Sequence, residues 1–552
     1  MFDYPQRGYI YDRNGVLMVA NQPSYDVMVI PRNMRKLDTL EFCSLINLTK
    51  EKFITAIDRA KRYSPNLPSV VVSQLTKSEF AGLSEKMFKY DGFYIQKRSL
   101  RDYQVSHSAN VLGYVSEVNN YTIKMNPDYQ MGELIGVAGV EKQYEKVLRG
   151  KKGVKYLQKD NFNRDIGPYK NGIFDVPSYR GTDITLTIDS KLQAYGESLM
   201  VNKRGGIVAL DPKNGEILGM VSLPSIDPNQ RLWKYGFDQV EIKKLKSPLF
   251  NRSINGQYSP GSTIKPIVAL NSIKDDLIDP YKEIYAGPFF QLSDSPRRFR
   301  DWKPEGHGMV DLNKAIVQSC DVYFYNLANN LGIKNMTLFF EKFSFGDKTG
   351  IDMPFESSGV LPSDEWKKKN IGNRWTDGDT IITGIGQGYL LTTPLQLAYA
   401  TSIIANRGVI SVPKLNKDKN KKKNKEVLDR EEFFKNNVEL DEWEIITNAM
   451  FDVVNKKNGT AFWSIRDKNN KIAGKTGTVQ VYSLSQDTDE RDDENIPDHL
   501  KDHSLYVAFA PKDDPQIVVA TVVENVGSGS KFAAPISNKI INFYLNKIRK
   551  RY

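Results

Sequence analysis

Two strand–turn–strand patterns, far apart in the chain, constrain the fold more than any other feature. Gly206 to Ser222 (GIVALDPKNGEILGMVS) has the pattern of a hairpin around Pro212-Lys213-Asn214-Gly215, where the Asn-Gly pair supplies a tight turn. Ser504 to Ala510, the turn Pro511 to Pro515, and Gln516 to Val523 repeat that pattern near the other end. Helical spacing dominates between them. Strands at both ends of a helical middle predict an α+β body: one antiparallel sheet sandwiched by helices and closed by segments distant in sequence. A strand over Ile184 to Ile188 leads into it, and Asp189-Ser190 is placed to cap the next helix.

At 552 residues the chain is too long for one hydrophobic core, and its texture changes at Ser178-Tyr179-Arg180-Gly181. Residues 1–180 are therefore expected to form a mixed α+β N-terminal domain and residues 181–552 the second domain. In the first, Arg7 to Gly15 reads as a strand ending in an Asn-Gly turn, and Ser24 to Ile30 as a second strand. Leu37 to Arg62 has helical spacing. Gly136 to Lys142 opens another helix, and Arg149 to Gly153 turns the chain back. No reactive side chains cluster here, so this half reads as a shaped support.

The second half carries three short motifs in order: Ser262-Thr263-Ile264-Lys265, Ser319-Cys320-Asp321 and Lys475-Thr476-Gly477-Thr478. Each alone is common. Residues three apart share one helix face, so Ser262 and Lys265 can meet. A helix opening near Ser259-Pro260 would put Ser262 in its first turn, where the positive helix end favours developing negative charge; Pro266 would then kink it. A lysine base must be neutral, and with a pKa of about 10.4 only about one in a few thousand is neutral at pH 7. A shift of about three units, or about 4 kcal/mol, has to come from burial and nearby cations, and Lys475 is a candidate cation.

Lys475 to Thr478 precedes Val479-Gln480-Val481 and reads as a strand. Thr476 and Thr478 fall on one face and Lys475 on the other, and Gly477 leaves room for close approach to the backbone. Threonine hydroxyls backed by a lysine suit a carboxylate, and the Thr478 N–H suits an oxyanion. Ser319 can relay a proton between the lysines and a leaving amine, with Asp321 as a polar partner. The glycine-rich Thr383 to Gly388, followed by Thr393-Pro394-Leu395-Gln396-Leu397-Ala398, completes the set.

Together these motifs are the equipment of an active-site-serine acyl transferase. With Arg7-Gly8, Asp12 to Gly15, Gly139-Val140-Glu141 and Gly386-Gln387-Gly388, the chain resembles the class B penicillin-binding proteins, most of all the elongation-type penicillin-binding protein 2 group. The resemblance covers essentially the whole chain. It implies a penicillin-binding transpeptidase fold behind an elongated N-terminal pedestal. It also implies a peptidoglycan D,D-transpeptidase in which Ser262 is the nucleophile, Lys265 the general base, and Ser319, Asp321 and Lys475 complete the centre. Thr476, Gly477 and Thr478 would hold a stem peptide ending in D-Ala-D-Ala, or the β-lactam that mimics it. The implied partner is a membrane polymerase of the shape, elongation, division and sporulation type. Family members often carry asparagine where Asp321 stands; aspartate matches the elongation subgroup.

No cofactor is implied for the reaction, but Asp301, His307 and Cys320 resemble three ligands of a structural zinc site in elongation-type members. The position of the fourth, carboxylate ligand corresponds to Ala286, leaving Asp294 as a substitute or the site without a fourth side chain. A histidine in a Gly-His-Gly loop also serves as an ordinary hydrogen-bonded residue. Competing readings on the same fold are a D,D-carboxypeptidase, a β-lactamase, or a β-lactam sensor. No glutamate-containing deacylation motif is evident.

Net charge of +11 favours an anionic neighbour, and without a nucleic-acid signature that neighbour is a membrane surface or an acidic polymer rather than nucleic acid. Part of the excess is the run Lys414 to Lys425, expected as a solvated loop, and Ser483 to Lys501 is expected as a flexible loop. The two cysteines, Cys43 and Cys320, exclude a disulfide framework. No apolar run is long enough to span a bilayer. The resemblance implies an inner-membrane anchor lying outside this sequence, with the catalytic domain in the periplasm.

Overall fold

The computed structural model describes residues 2–130, 132–160, 165–229, 247–418, 423–465, 469–481 and 496–549. The chain divides into two compact units, one mainly from Met1–Ser106 and Leu112–Thr185, the other mainly from Leu186–Asp227 and Phe237–Tyr552.

In the first unit, the strand Leu17–Val29 pairs antiparallel along its length with Phe93–Tyr103. Its core gathers Val27, Val29, Phe42, Phe53 and Phe93, with the Phe42 ring 4.6 Å from that of Phe93. The expected helix over residues 37–62 is two helices, Thr39–Leu45 and Lys50–Tyr63. The break has a local cause. Asn47 takes φ +49°, and the Thr49 side chain accepts the Lys52 N–H to cap a new helix. Strand structure in residues 7–15 is limited to Ile10–Tyr11, because the Asp12 carboxylate binds the N–H groups of Asn14 and Val16 and turns the chain. The expected strand over 184–188 likewise ends at Thr185; Thr187 gives its N–H to Leu415 O instead.

Glu141, wholly buried, accepts hydrogen bonds from Arg7 Nη2 and Arg101 Nε, each at 2.7 Å. Burial alone would raise its pKa, but Arg101 and then Arg7 outweigh it and hold the carboxyl below the usual range. The Arg7 and Glu141 motifs thus converge on one buried ion cluster.

The second unit is built on a five-stranded antiparallel sheet. Its strands are β1 (Gly205–Leu210), β2 (Ile217–Leu223), β3 (Ala473–Val479), β4 (His503–Ala510) and β5 (Ile517–Val523), in the order β2-β1-β5-β4-β3. β1 therefore lies against β5 from the far end of the chain, the closure expected from the two hairpin patterns. Every residue of β1 and β5 is buried, which is why they read as continuous apolar runs rather than alternating ones.

Helices α1 (Ser190–Leu199) and α6 (Ala533–Phe543) pack together against the sheet; a Cβ on Gly196 would lie 2.8 Å from Val221 Cγ2. Asp189 caps α1 as expected. Also framing the site are α2 (Lys265–Lys274), α3 (Asp321–Lys342), α4 (Pro394–Ala405) and α5 (Leu440–Asn455). α4 is buried along its whole length against β1, β4 and β5, and α5 packs on β3. β3 is an edge strand among the described residues, leaving one side of its backbone open for an extended ligand.

The basic run is not simply a solvated loop. Leu415 is fully buried, and Lys425 opens a helix reaching Asn437, whereas residues 419–422 lie outside the described residues. Most of the polar stretch beginning at Ser483 also lies outside them.

Candidate active site

Ser262 lies in a single 3-10 turn, Gly261–Ile264, and α2 begins only at Lys265. The serine is thus half-buried just ahead of the α-helix rather than in its first turn. Pro266 falls in the first turn of α2, where a missing N–H removes no helical bond, so the expected kink does not arise.

The turn is clamped by two glycines from distant parts of the chain. Gly261 donates its N–H to Gly386 O at 2.8 Å. A Cβ on Gly386, whose φ is +75°, would sit 2.2 Å from Gly261 O. A Cβ on Gly477 would sit 2.8 Å from Thr263 Cγ2, so the neighbour that requires glycine there is the serine turn itself.

Behind the turn, two wholly buried lysines meet at Ser319. Lys265 Nζ donates to Ser319 O at 2.8 Å and to Asp321 Oδ1 at 2.7 Å, and stands 3.3 Å from Ser319 Oγ. Lys475 Nζ donates to Ser319 Oγ at 2.8 Å and to Thr476 O at 3.1 Å. Burial, then the positive charge of Lys265, push the Lys475 ammonium well below the ordinary lysine range, against the opposing pull of Asp321. Burial pushes the Asp321 carboxyl upward, with Lys265 opposing. Ser319 itself holds φ +58°, a conformation costly for a residue with a side chain and common where backbone strain serves a site. The Ser262 hydroxyl has no hydrogen-bond partner among the described residues; its carbonyl accepts the Lys265 N–H.

Along β3, Thr476 Oγ1 pairs with Thr460 Oγ1 at 2.7 Å, while exposed Thr478 accepts the Gly529 N–H at 3.1 Å. Sequence reasoning missed Thr460, Gly529 and Trp302. The Trp302 N–H donates to Asp321 Oδ2 at 3.2 Å, and its indole Nε1 to Ser319 O at 3.1 Å. Its place directly after Asp301 was the available signal; nothing in the sequence marked the other two.

Asp301, His307 and Cys320 are buried, with one donor atom each inside a 4.8 Å cluster. Asp301 Oδ2 also accepts the N–H groups of Asp321 at 2.8 Å and Val322 at 3.1 Å, pinning the start of α3. His307 Nδ1 lies 3.4 Å from Asp301 Oδ1, yet neither ring nitrogen has a hydrogen-bond partner among the described residues, an unusual cost for a buried imidazole. Burial and the Asp301 charge push the Cys320 thiol up to about 12. Orphaned nitrogen, thiol and carboxylate together fit a zinc-type donor set. Ala286 is buried, and Asp294 is exposed and outside the cluster, so it does not substitute as a ligand.

A serine turn, a lysine pair joined by a second serine, and an open strand edge carrying an exposed threonine define an active-site-serine acyl transferase. The penicillin-binding protein transpeptidase domain matches residues 205–542, and the penicillin-binding protein dimerisation domain residues 2–186. The chain belongs to the penicillin-binding transpeptidase family. The peptidoglycan D,D-transpeptidase MrdA of Haemophilus influenzae is 35% identical, covering 98% of this chain and 84% of its own length. MrdA of Acinetobacter baumannii is 37% identical over 98% of this chain and 80% of its own. Among solved structures, the complex of PBP2 with MreC from Helicobacter pylori matches with TM-score 0.84 and 28% identity, covering 100% of this chain and 99% of that one. PBP2 of Pseudomonas aeruginosa matches with TM-score 0.72 and 31% identity, covering 100% and 97%.

Proposed function

We propose that this chain is the elongation-type peptidoglycan D,D-transpeptidase its family membership points to, and that β-lactams acylate the same serine. The observation that carries the assignment of roles is the convergence on Ser319 of Lys475 and of Lys265, which follows Ser262 by three residues. Ser262 Oγ attacks the carbonyl of the penultimate D-Ala, and its proton passes to the Lys265 amine. That amine must first be neutral. Ser319 Oγ, within reach of both amines, is the path by which the Lys265 proton passes to a deprotonated Lys475. The lowered Lys475 pKa leaves that amine open but makes it the weaker base, so the transfer runs uphill and is drawn on by the attack of Ser262. As the tetrahedral centre collapses, the C–N bond to the terminal D-Ala breaks, and its nitrogen takes a proton returned through Ser319. An amino group of a neighbouring stem peptide then attacks the Ser262 ester, and the serine regains its proton. Thr476, Gly477 and Thr478 line the strand edge on which the donor peptide lies, its carboxylate held by the threonine hydroxyls. In a β-lactam the cleaved nitrogen stays tethered, so the ester persists.

Residues 1–180 serve as the pedestal and 181–552 as the transpeptidase. No helix among the described residues is long and apolar enough to cross a membrane. The proposed location is an inner-membrane anchor with the catalytic unit in the periplasm, in keeping with the family. A polymerase of the shape, elongation, division and sporulation type is the proposed partner, and an MreC-like protein is a second, by analogy with the Helicobacter pylori complex. Asp301, His307 and Cys320 would hold zinc; bound there, it supplies a fixed cross-link rather than a reactive centre. Metal content of the purified protein, lost in Cys320→Ser, tests this.

The function is tested with lipid-linked precursor and the partner polymerase. Cross-linked muropeptides that vanish in Ser262→Ala are expected. Release of D-Ala without cross-links would identify a carboxypeptidase, and acylation without turnover a sensor.

A further inference from the structure

The segment after β5 folds back along the edge strand. Ser504 Oγ, buried, donates to Ser528 O at 3.0 Å and accepts the Ala533 N–H at 3.0 Å, holding this segment by both ends. Between them, a Cβ on Gly529 would lie 2.2 Å from Gly477 O and 2.6 Å from Leu505 O, so no side chain fits. This contact delivers the Gly529 N–H to Thr478 Oγ1 at 3.1 Å.

A threonine hydroxyl has one proton and two acceptor lone pairs. The Gly529 N–H occupies a lone pair, and Thr478 is exposed at the open edge of the sheet. No acceptor for its proton occurs among the described residues, so the proton is left for a ligand. We propose that Gly529 is a positioning residue that orients Thr478 as a donor toward the carboxylate of the bound peptide or β-lactam. This rests on the proposed transpeptidase reading and deepens it. The carboxylate is recognised by a hydroxyl whose direction is set from a distant loop, so selectivity for a free C-terminal carboxylate is written partly at Gly529 and Ser504.

The test is the second-order rate of acylation by a penicillin, set against its methyl ester, which lacks the carboxylate charge. Thr478→Val and Gly529→Ala should each lower acylation by the free acid about 10- to 100-fold, the range for a hydrogen bond to a charged group. The loss should fall on the non-covalent binding step, be markedly smaller for the methyl ester, whose neutral carbonyl accepts only a weaker hydrogen bond, and be rescued by Thr478→Ser. The double variant should be no slower than Thr478→Val alone. Ser504→Ala, which loosens the loop without entering the groove, should lose a smaller factor that also disappears in the Thr478→Val background; it decides the matter if Gly529→Ala does not fold. Multiplicative losses, or equal losses on the ester, overturn the positioning role. No loss in Thr478→Val would instead overturn the carboxylate-binding role of Thr478.

Discussion

Replacing Lys475 with methionine should make the protein more stable and inactive, and the difference should depend on pH in a calculable way. Lys475 is fully buried, and its amine sits beside the second positive amine of Lys265 around one serine hydroxyl. Burial and that neighbour lower its pKa well below the ordinary value. The sign follows from linkage. Below the lowered folded value both states carry the proton, and folding bears the full cost of burying the ammonium. Between that value and the unfolded value of about 10.4, the unfolded chain holds a proton that the folded chain lacks. Stability therefore rises with pH by about 1.4 kcal/mol per unit within that window. Methionine removes the charge and roughly conserves the volume, and Ser319 Oγ keeps Lys265 within 3.3 Å. At neutral pH Lys475→Met should thus resist urea better than wild type, and its advantage should shrink by that slope as pH rises through the window. Paired urea titrations from neutral to alkaline pH, followed by tryptophan fluorescence, measure the difference, and groups common to both proteins cancel. A gap independent of pH, or a loss of several kcal/mol at neutral pH, would refute the reasoning by showing an ammonium well solvated by Asp321.

Acylation by a β-lactam should fall on acidification as Lys475 regains its proton. Because Asp321 pulls the Lys475 value upward, Asp321→Asn should move that acid limb to lower pH in a stopped-flow profile. Glu141→Gln leaves Arg7 and Arg101 without their shared charge and should destabilise the first unit by about 3–5 kcal/mol, read by denaturant unfolding, with the acylation rate unchanged. Gly386→Ala must fit a Cβ 2.2 Å from Gly261 O at φ +75°. It should cost about 1–3 kcal/mol of strain and slow acylation at least about tenfold, measured with a fluorescent penicillin.

The sheet was legible because β1, β2, β4 and β5 are bounded by turn residues and are mostly apolar, with Ser222, His503, Ser504 and Thr521 the polar exceptions. The three motifs located the lysines and Ser319 because side-chain chemistry is local to a tetrapeptide. What stayed hidden depended on backbone approach. The serine turn is 3-10 because Gly386 and Gly477 press on it from distant segments, and no pattern within residues 259–266 records that. The Gly529 contact with Thr478 is likewise a property of the closed fold. Helix periodicity over residues 37–62 concealed a break because Asn47 and Thr49 are polar positions that fit either reading.

The central claim is that Ser262, three residues before the Lys265 of the Lys265–Ser319–Lys475 network, is the residue that becomes acylated. Intact mass after incubation with benzylpenicillin, followed by peptide mapping, addresses it directly. One adduct on the peptide containing Ser262, absent from a folded Ser262→Ala variant and formed far more slowly in Lys265→Met, is the predicted result. An adduct on another residue, or undiminished labelling of Ser262→Ala, would contradict it.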